Sequence, residues 1–200
     1  QWGPVSQVVL VDSEITLSKI FGGPTNTTAT SFYTAANFLS YGNNLSVVRS
    51  VGINAKNAVV NTSAVTKVEN SDVFQYTYLS ANNTNSFGSF MARYPGALGN
   101  SLKIEVFDNS DVTTFNSWTY KSYFSSAPGT SSFATNVGGS DDEMHIVVVD
   151  VDGQLSGTAG TVLETYPFVS KASDAMINGA SNYYKQVIFN NSKWIYAVDP

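Results

Sequence analysis

The sequence has no cysteine and one histidine, and only 12% of its 200 residues are charged. Without cysteine there can be no disulfides and no thiolate metal sites. A lone histidine supplies too few ligands for a transition-metal centre. Any serine-type catalytic triad would have to use His145, and no G-x-S-x-G elbow precedes a helix. Lysines and arginines are scattered and the net charge is −5, which argues against nucleic acid and against an anionic membrane surface as partners. No apolar run approaches the ~20 residues of a membrane-spanning helix. Neither Gly22-Gly23 nor Gly138-Gly139 is followed by the GK[ST] of a phosphate loop, so no nucleotide cofactor is expected. The chain opens at Gln1 with no Met, charged region or apolar leader, and reads as an internal or processed piece.

What is present is a core-forming composition. Hydrophobic residues make up 42% and aromatics 13%, enough for one sizeable domain or two small ones. Asn, Ser and Thr take the polar positions that charges usually fill, so a neutral-polar surface is expected. The sequons at Asn26, Asn44, Asn61, Asn82 and Asn190 are about as many as this composition yields by chance, and say nothing of secretion.

Along the chain, Val8–Val11 is a short apolar run. Asp12 or Ser13 offers an N-cap for a helix over Glu14–Phe21, which Gly22-Gly23-Pro24 stops. Thr27–Leu39 carries Phe32, Ala35, Ala36 and Leu39 at i, i+3, i+4 and i+7, the stripe of a second helix. Strands are expected at 45–51, 102–107, 144–151, 162–168 and 193–198. The clearest alternation is in Leu102, Ile104 and Val106 against Ser101, Lys103 and Glu105, which predicts one buried face. Tyr94-Pro95-Gly96 predicts a tight turn ahead of it, with Gly96 at positive φ. Val73–Leu79 reads as a further strand. Residues 108–139 read as loop with one or two strands, and Ser173 or Asp174 as the cap of a helix or turn near Ala175–Asn178. The last helix is expected over Asn182–Phe189.

Two polar clusters are candidates for chemistry. Asp141, Asp142 and Glu143 precede His145, and could form a metal site or an acid/base pair. A strand puts Glu143 and His145 on one face and Asp142 on the other, so a solvated strand entry is the better reading. Asp150-Val151-Asp152-Gly153 resembles the start of a calcium loop, but lacks the later ligand spacing and closing Glu, and reads as a strand-ending turn. No catalytic, cofactor-binding or metal-binding residue is therefore assigned.

The wording of several segments is distinctive. QWGP at 1–4, FGGPT at 21–25, NFLSYGNNLSVVRSV at 37–51, YPG-x-x-GN-x-L at 94–102 and DG…GTVLETY…VS between Asp152 and Ser170 follow one another in the order found in tail sheath proteins of contractile-tailed phages, T-even type. The resemblance touches 1–52 and 91–199, and it implies an internal fragment lacking the family's N-terminal arm and C-terminal half. It implies an α/β fold, a mixed β-sheet with short flanking helices and a polar peripheral insertion. The domain organisation expected is 1–52 as a βααβ part of the sheath core, 53–90 as a short polar insertion, and 91–200 as a sheet-rich part of the core. The implied function is that of a structural, non-enzymatic subunit. Such subunits stack as hexameric rings around the tail tube and contract to drive it through the host envelope. The implied partners are other copies of itself, the tail tube protein and the baseplate, with no nucleic acid and no membrane. The implied location is the virion, after assembly in the host bacterial cytoplasm. The isolated fragment is expected to stay monomeric. Two alternatives come from the residues alone: a glycan-binding or adhesin-type β-rich module, which no internal repeat supports, and a hydrolase using His145 with Asp142 or Glu143.

Overall fold

A computed structural model of the chain describes residues 1–60, 67–79 and 89–198. The chain forms two compact units, Gln1–Asn100 and Ser101–Asp199.

The first unit opens with β1 (Val8–Val11), α1 (Glu14–Phe21), α2 (Ala29–Leu39) and β2 (Leu45–Val48), within two residues of the boundaries expected from the apolar periodicity except at the end of β2. The Ser13 hydroxyl accepts from Thr16 N and caps α1, with Glu14 in its first turn, where the helix dipole favours an acid. β1 and β2 pair antiparallel, Val9 opposite Val47 and Val11 opposite Leu45. Val9, Val11 and Val47 pack on Leu17, Phe21 and Phe32 from the two helices, forming the core of this unit.

The strand expected over Val73–Leu79 is helical instead. Ser71–Val73 (α3) is a single turn that runs on as a π-helical segment, Phe74–Leu79. Its cause is local: the Asn70 side chain accepts from Val73 N and nucleates the turn. Asn57, Asn70 and Phe74 reach inward from this polar stretch. The Asn57 amide group donates to Val68 O and Ala92 O, and its oxygen accepts from Val68 N. Asn70 donates to Val5 O, and Phe74 is buried. The expected Tyr94-Pro95-Gly96 turn follows β3 (Phe90–Ala92), with Gly96 at φ 137°.

In the second unit β4 (Leu102–Phe107) leads through α4 (Val112–Ser117) and α5 (Ser132–Asn136) to β5 (Glu143–Asp150) and β6 (Thr161–Ser170). The three strands form an antiparallel sheet in the order β4-β5-β6, so β5, with its near-continuous apolar run, is central and buried on both faces. Short helices beside small sheets give the α/β character expected of the chain. Residues 108–139 contain helices rather than the one or two strands expected. Asp111 caps α4 by accepting from Thr114 N, and Ser131 caps α5 by accepting from Ala134 N. These helices and the 3₁₀ turn at Lys121–Tyr123 carry Phe115, Trp118, Tyr120 and Phe124 onto Phe107 and Val147. Phe107 is therefore buried, while Val106, assigned from its alternation to a buried face, is 43% exposed.

The segment expected as a capped helix or turn near 175–178 is instead a small hairpin, β7 (Met176–Ile177) and β8 (Ala180–Ser181). Asn178 and Gly179 both have positive φ, the two-residue turn that matches strand twist. The unit closes with α6 (Tyr184–Asn191) and β9 (Ile195–Ala197), both shifted by about two residues from their expected starts.

Candidate interaction surfaces and buried polar clusters

Asp142 is a buried carboxylate, not a solvated one. It accepts from Ser131 N at 2.7 Å, from the Ser131 hydroxyl at 2.8 Å and from the Ser170 hydroxyl. Burial alone would raise its pKa, but the bonds from Ser170 and Ser131 outweigh burial and hold the carboxyl below its usual range. It ties the start of α5 to the end of β6. Asp141 lies outside, exposed, at φ 52°, and Glu143 accepts from Gly129 N. The three acids thus serve different loops rather than one centre. Among the described residues no group of three or more His, Cys, Asp or Glu could hold a metal ion.

His145 is completely buried, a correction to its expected place at a solvated strand entry. The register explains how it got there. Met144 pairs with Val169 and Ile146 with Tyr166, so His145 stands opposite two β6 residues, Pro167 and Phe168, in a β-bulge. The bulge also accommodates a proline within a strand. Phe168 takes φ 52°, rare for a bulky residue, and is held there from both sides. Its N–H donates to His145 Nδ1 at 3.1 Å, and its carbonyl accepts from Asn182 Nδ2 at 2.8 Å. With Nδ1 accepting, the proton sits on Nε2, which donates to Ser126 O at 2.8 Å. The ring stacks on Phe124 at 4.2 Å and meets Phe168 edge-on at 4.6 Å, with Trp118 and Phe115 beyond. Every ring facing it is neutral, and both nitrogens are engaged. The imidazole is a core bracket, with no free lone pair for a substrate.

This environment has a measurable consequence. Burial lowers the His145 pKa below the ordinary 6.5, outweighing the bond to Ser126 O. The unfolded chain then binds the proton first as pH falls, so the stabilisation is complete above 6.5 and is lost as pH falls from there through the folded value. Thermal melts of wild-type protein are expected to show a falling midpoint below about pH 6.5, and His145→Asn to flatten that slope. An unchanged slope in the variant would remove His145 as its source.

Asp150 ends β5 as the hub of the loop that follows. Its Oδ2 accepts from Leu155 N at 2.9 Å, Ser156 N at 2.7 Å and the Ser156 hydroxyl at 2.7 Å. Its Oδ1 accepts from Gln154 N and from the Ser101 hydroxyl. Burial opposes ionisation, but the bonds from Ser101, Ser156 and Leu155 prevail and bring the pKa down to about 2. These are loop-closing contacts in the place where calcium ligands were weighed, and Asp152 faces solvent. The Ser156 hydroxyl adds bonds to Thr158, and the Ser101 hydroxyl accepts from Asp152 N.

In the first unit, Arg49 is the residue that sequence reasoning passed over. It is 8% exposed. Nη1 donates to Gly3 O at 2.8 Å, and Nη2 to Pro95 O at 2.9 Å and Gln1 O at 3.3 Å. One side chain thereby joins the chain's first residues to the Tyr94-Pro95-Gly96 turn, where Trp2 also meets Tyr94 edge-on at 5.4 Å. An arginine ending an apolar strand run, Val47-Val48-Arg49, was the available signal. The outward face of β1 and β2 is apolar too: Val8, Leu10 and Val48 are each more than half exposed.

Residues 1–49 match the family model described as tail sheath protein Gp18 domain III N-terminal region. The chain is 36% identical over 163 residues to the tail sheath protein of Salmonella phage ViI, covering 81% of this chain and 23% of that protein. It is 53% identical over 51 residues to the tail sheath protein of Enterobacteria phage T4, covering 26% of this chain and 8% of that one. The tail sheath protein of Vibrio phage KVP40 is 53% identical over 49 residues, covering 24% and 7%. The chain spans less than a quarter of the length of these curated relatives.

Proposed function

Since this chain belongs to the tail sheath proteins of bacteriophages, we propose that it forms part of the rigid core of a sheath subunit, in which many copies stack as six-fold rings around a tail tube. The observation that carries this reading is the similarity over 81% of the chain to one such protein, with the matched motifs spread through both units. In the mechanism we infer, the assembled sheath is a metastable lattice. A signal from the baseplate releases it into a shorter, wider packing that drives the tube through the host envelope. Subunits of such a machine move as bodies while their interfaces switch between discrete arrangements. The tail tube protein and the baseplate would be its partners. The virion would be its location, after assembly in the host cytoplasm.

The buried polar chemistry supports a structural role. Asp142, His145 and Asp150 each use their polar atoms to pin one loop to another, which stiffens the units and leaves these groups engaged. The exposed Val8, Leu10 and Val48 face would be covered more easily in an assembly than in a free monomer. Expression of the full-length protein and negative-stain electron microscopy test the reading. Tubes or stacked six-fold rings are the expected result, with the 200-residue chain alone remaining monomeric. Full-length protein that stays monodisperse at high concentration would overturn it.

A further inference from the structure

We propose that the β7–β8 turn, Asn178-Gly179, is a self-modifying site at which the folded chain converts its own asparagine to isoaspartate and aspartate through a cyclic imide. Water is the only co-reactant. Asparagine is a thermolabile residue, and its side-chain carbonyl carbon is attacked by the backbone nitrogen that follows it. A glycine there gives that nitrogen the freest approach, because it has no Cβ and tolerates a wide range of φ and ψ. Asn178-Gly179 is the one Asn-Gly pair in the sequence.

The structure leaves both reacting groups available. Asn178 and Gly179 are exposed, and nothing lies within 4 Å of where a Gly179 side chain would sit. Among the described residues no hydrogen bond engages the Asn178 side chain or the Gly179 N–H. The pairs next in reactivity by sequence, Asn-Ser, are held more firmly. Asn70 bonds Val73 N and Val5 O, Asn109 accepts from Asp111 N, and Asn191 donates to Val187 O. The turn itself is lightly anchored. β7 and β8 contribute two residues each, paired Met176 with Ser181 and Ile177 with Ala180, and both apolar side chains of β7 are about half exposed. So short a hairpin opens locally without unfolding the unit, which frees Gly179 N to reach Asn178 Cγ.

In the first step Gly179 N gives up its proton to base and bonds to Asn178 Cγ. The Cγ–Nδ2 bond breaks, and Nδ2 leaves with a proton as ammonia. Water then opens the five-membered imide at one of its two carbonyls. Attack at Cγ restores the ordinary backbone with aspartate. Attack at the Asn178 backbone carbonyl routes the chain through Cγ, giving isoaspartate. Nothing is oxidised or reduced, and either product adds one negative charge to a chain already at −5. Isoaspartate also inserts a methylene into the main chain. The two-residue turn that fixes the hairpin register then no longer closes. The change opens one wall of the cavity of about 320 Å³ that Met176, Ile177 and Asn178 share with Phe133 and Glu143.

Ageing the intact chain at mildly alkaline pH, with circular dichroism to verify that it stays folded, tests the site by peptide mass mapping. The Asn178 peptide is expected to show the amide-to-acid mass gain before any other asparagine, faster as pH rises. The endoproteinase that cuts before aspartate should leave most of the product uncut, because isoaspartate is not its substrate. Asn178→Gln, whose extra methylene disfavours ring closure, should keep its amide over the same period. An unmodified Asn178 in the folded chain, or earlier loss at another asparagine, overturns the site. Complete cleavage of the product would identify plain aspartate formed by direct hydrolysis and overturn the imide route. Asn178→Asp separates charge from backbone change: its ¹H–¹⁵N signals for Ala180 and Ser181 should stay near wild type, whereas the aged chain should lose them. Unmoved signals in the isoaspartyl product would overturn the effect on the hairpin.

Discussion

Asp150→Ala is expected to lower the melting temperature of the Ser101–Asp199 unit by roughly 10 °C or more. The carboxylate accepts from the amides of Gln154, Leu155 and Ser156 and from the hydroxyls of Ser101 and Ser156. Alanine leaves all of them without their acceptor, and each buried unpaired donor costs about 1–3 kcal/mol, so a total of at least ~3 kcal/mol follows even if water reaches the part-exposed ones. The loop 151–160 should lose its shape first, because those amides point at one side chain. Asp150→Asn, which retains one acceptor oxygen, should fall between wild type and Ala. The pH dependence separates charge from shape. With a folded pKa of about 2 against 3.8 unfolded, the Asp150 contribution is complete above 3.8 and is lost as pH falls toward 2. Asp142 is lowered as well, so the acid slope should flatten in Asp150→Ala without vanishing. Differential scanning calorimetry between pH 2 and 5 reads both effects. A wild-type midpoint in Asp150→Ala would mean that the loop is held by something other than this carboxylate.

Trp118→Ala should be nearly as damaging, at about 3 kcal/mol. Trp118 stacks on Phe107 at 4.9 Å and on Phe124 at 5.3 Å, meets Tyr120 edge-on, and donates from Nε1 to Glu105 Oε2 at 3.0 Å. It is therefore the piece that fastens the 108–139 segment to one face of the sheet. Its removal opens a void beside Phe107 and frees the ring of Phe124, which in turn stacks on His145. Trp118→Phe keeps an aromatic body in the stack and loses only the bond to Glu105, which Lys103 still pairs, so it should cost about 1 kcal/mol. Denaturant titration of the three proteins, with near-ultraviolet dichroism to follow the aromatic packing, decides the matter. Equal stability of wild type and Trp118→Ala would show that the segment is held by its helix caps and backbone alone.

Much of the architecture is legible in local wording. The helix Glu14–Phe21 follows from periodicity with a cap before and a Gly-Pro stop after, because a helix end is decided by residues within one turn of it, and Ala29–Leu39 follows from its apolar stripe. The central strand Glu143–Asp150 follows from its apolar run, and the turn at Gly96 from Pro-Gly chemistry. The misreadings share a cause. Asn70, Asp111 and Ser131 are good caps, but each stands in a polar stretch where many Asn, Asp and Ser residues look equally able, and only the chain's path shows which ones meet a free amide. The Asn178-Gly179 turn was a readable signal that was passed over.

The sequence by itself determined the family, the α/β class, and the lack of cysteine, histidine clusters and basic patches that limits what chemistry is open to this chain. Those properties depend on composition, or on motifs whose order along the chain carries the information. Tertiary structure decided where the polar residues work. A two-for-one bulge turned His145 from a strand-entry residue into a buried bracket. Ser131 and Ser170, 39 positions apart in the numbering, converge on Asp142, and Ser101 reaches Asp150. Arg49 gathers carbonyls from Gly3 and Pro95. The physical reason is that a buried polar group must find its partners wherever the fold brings them. Those partners come from segments far apart in the chain, and no local spacing encodes the pairing.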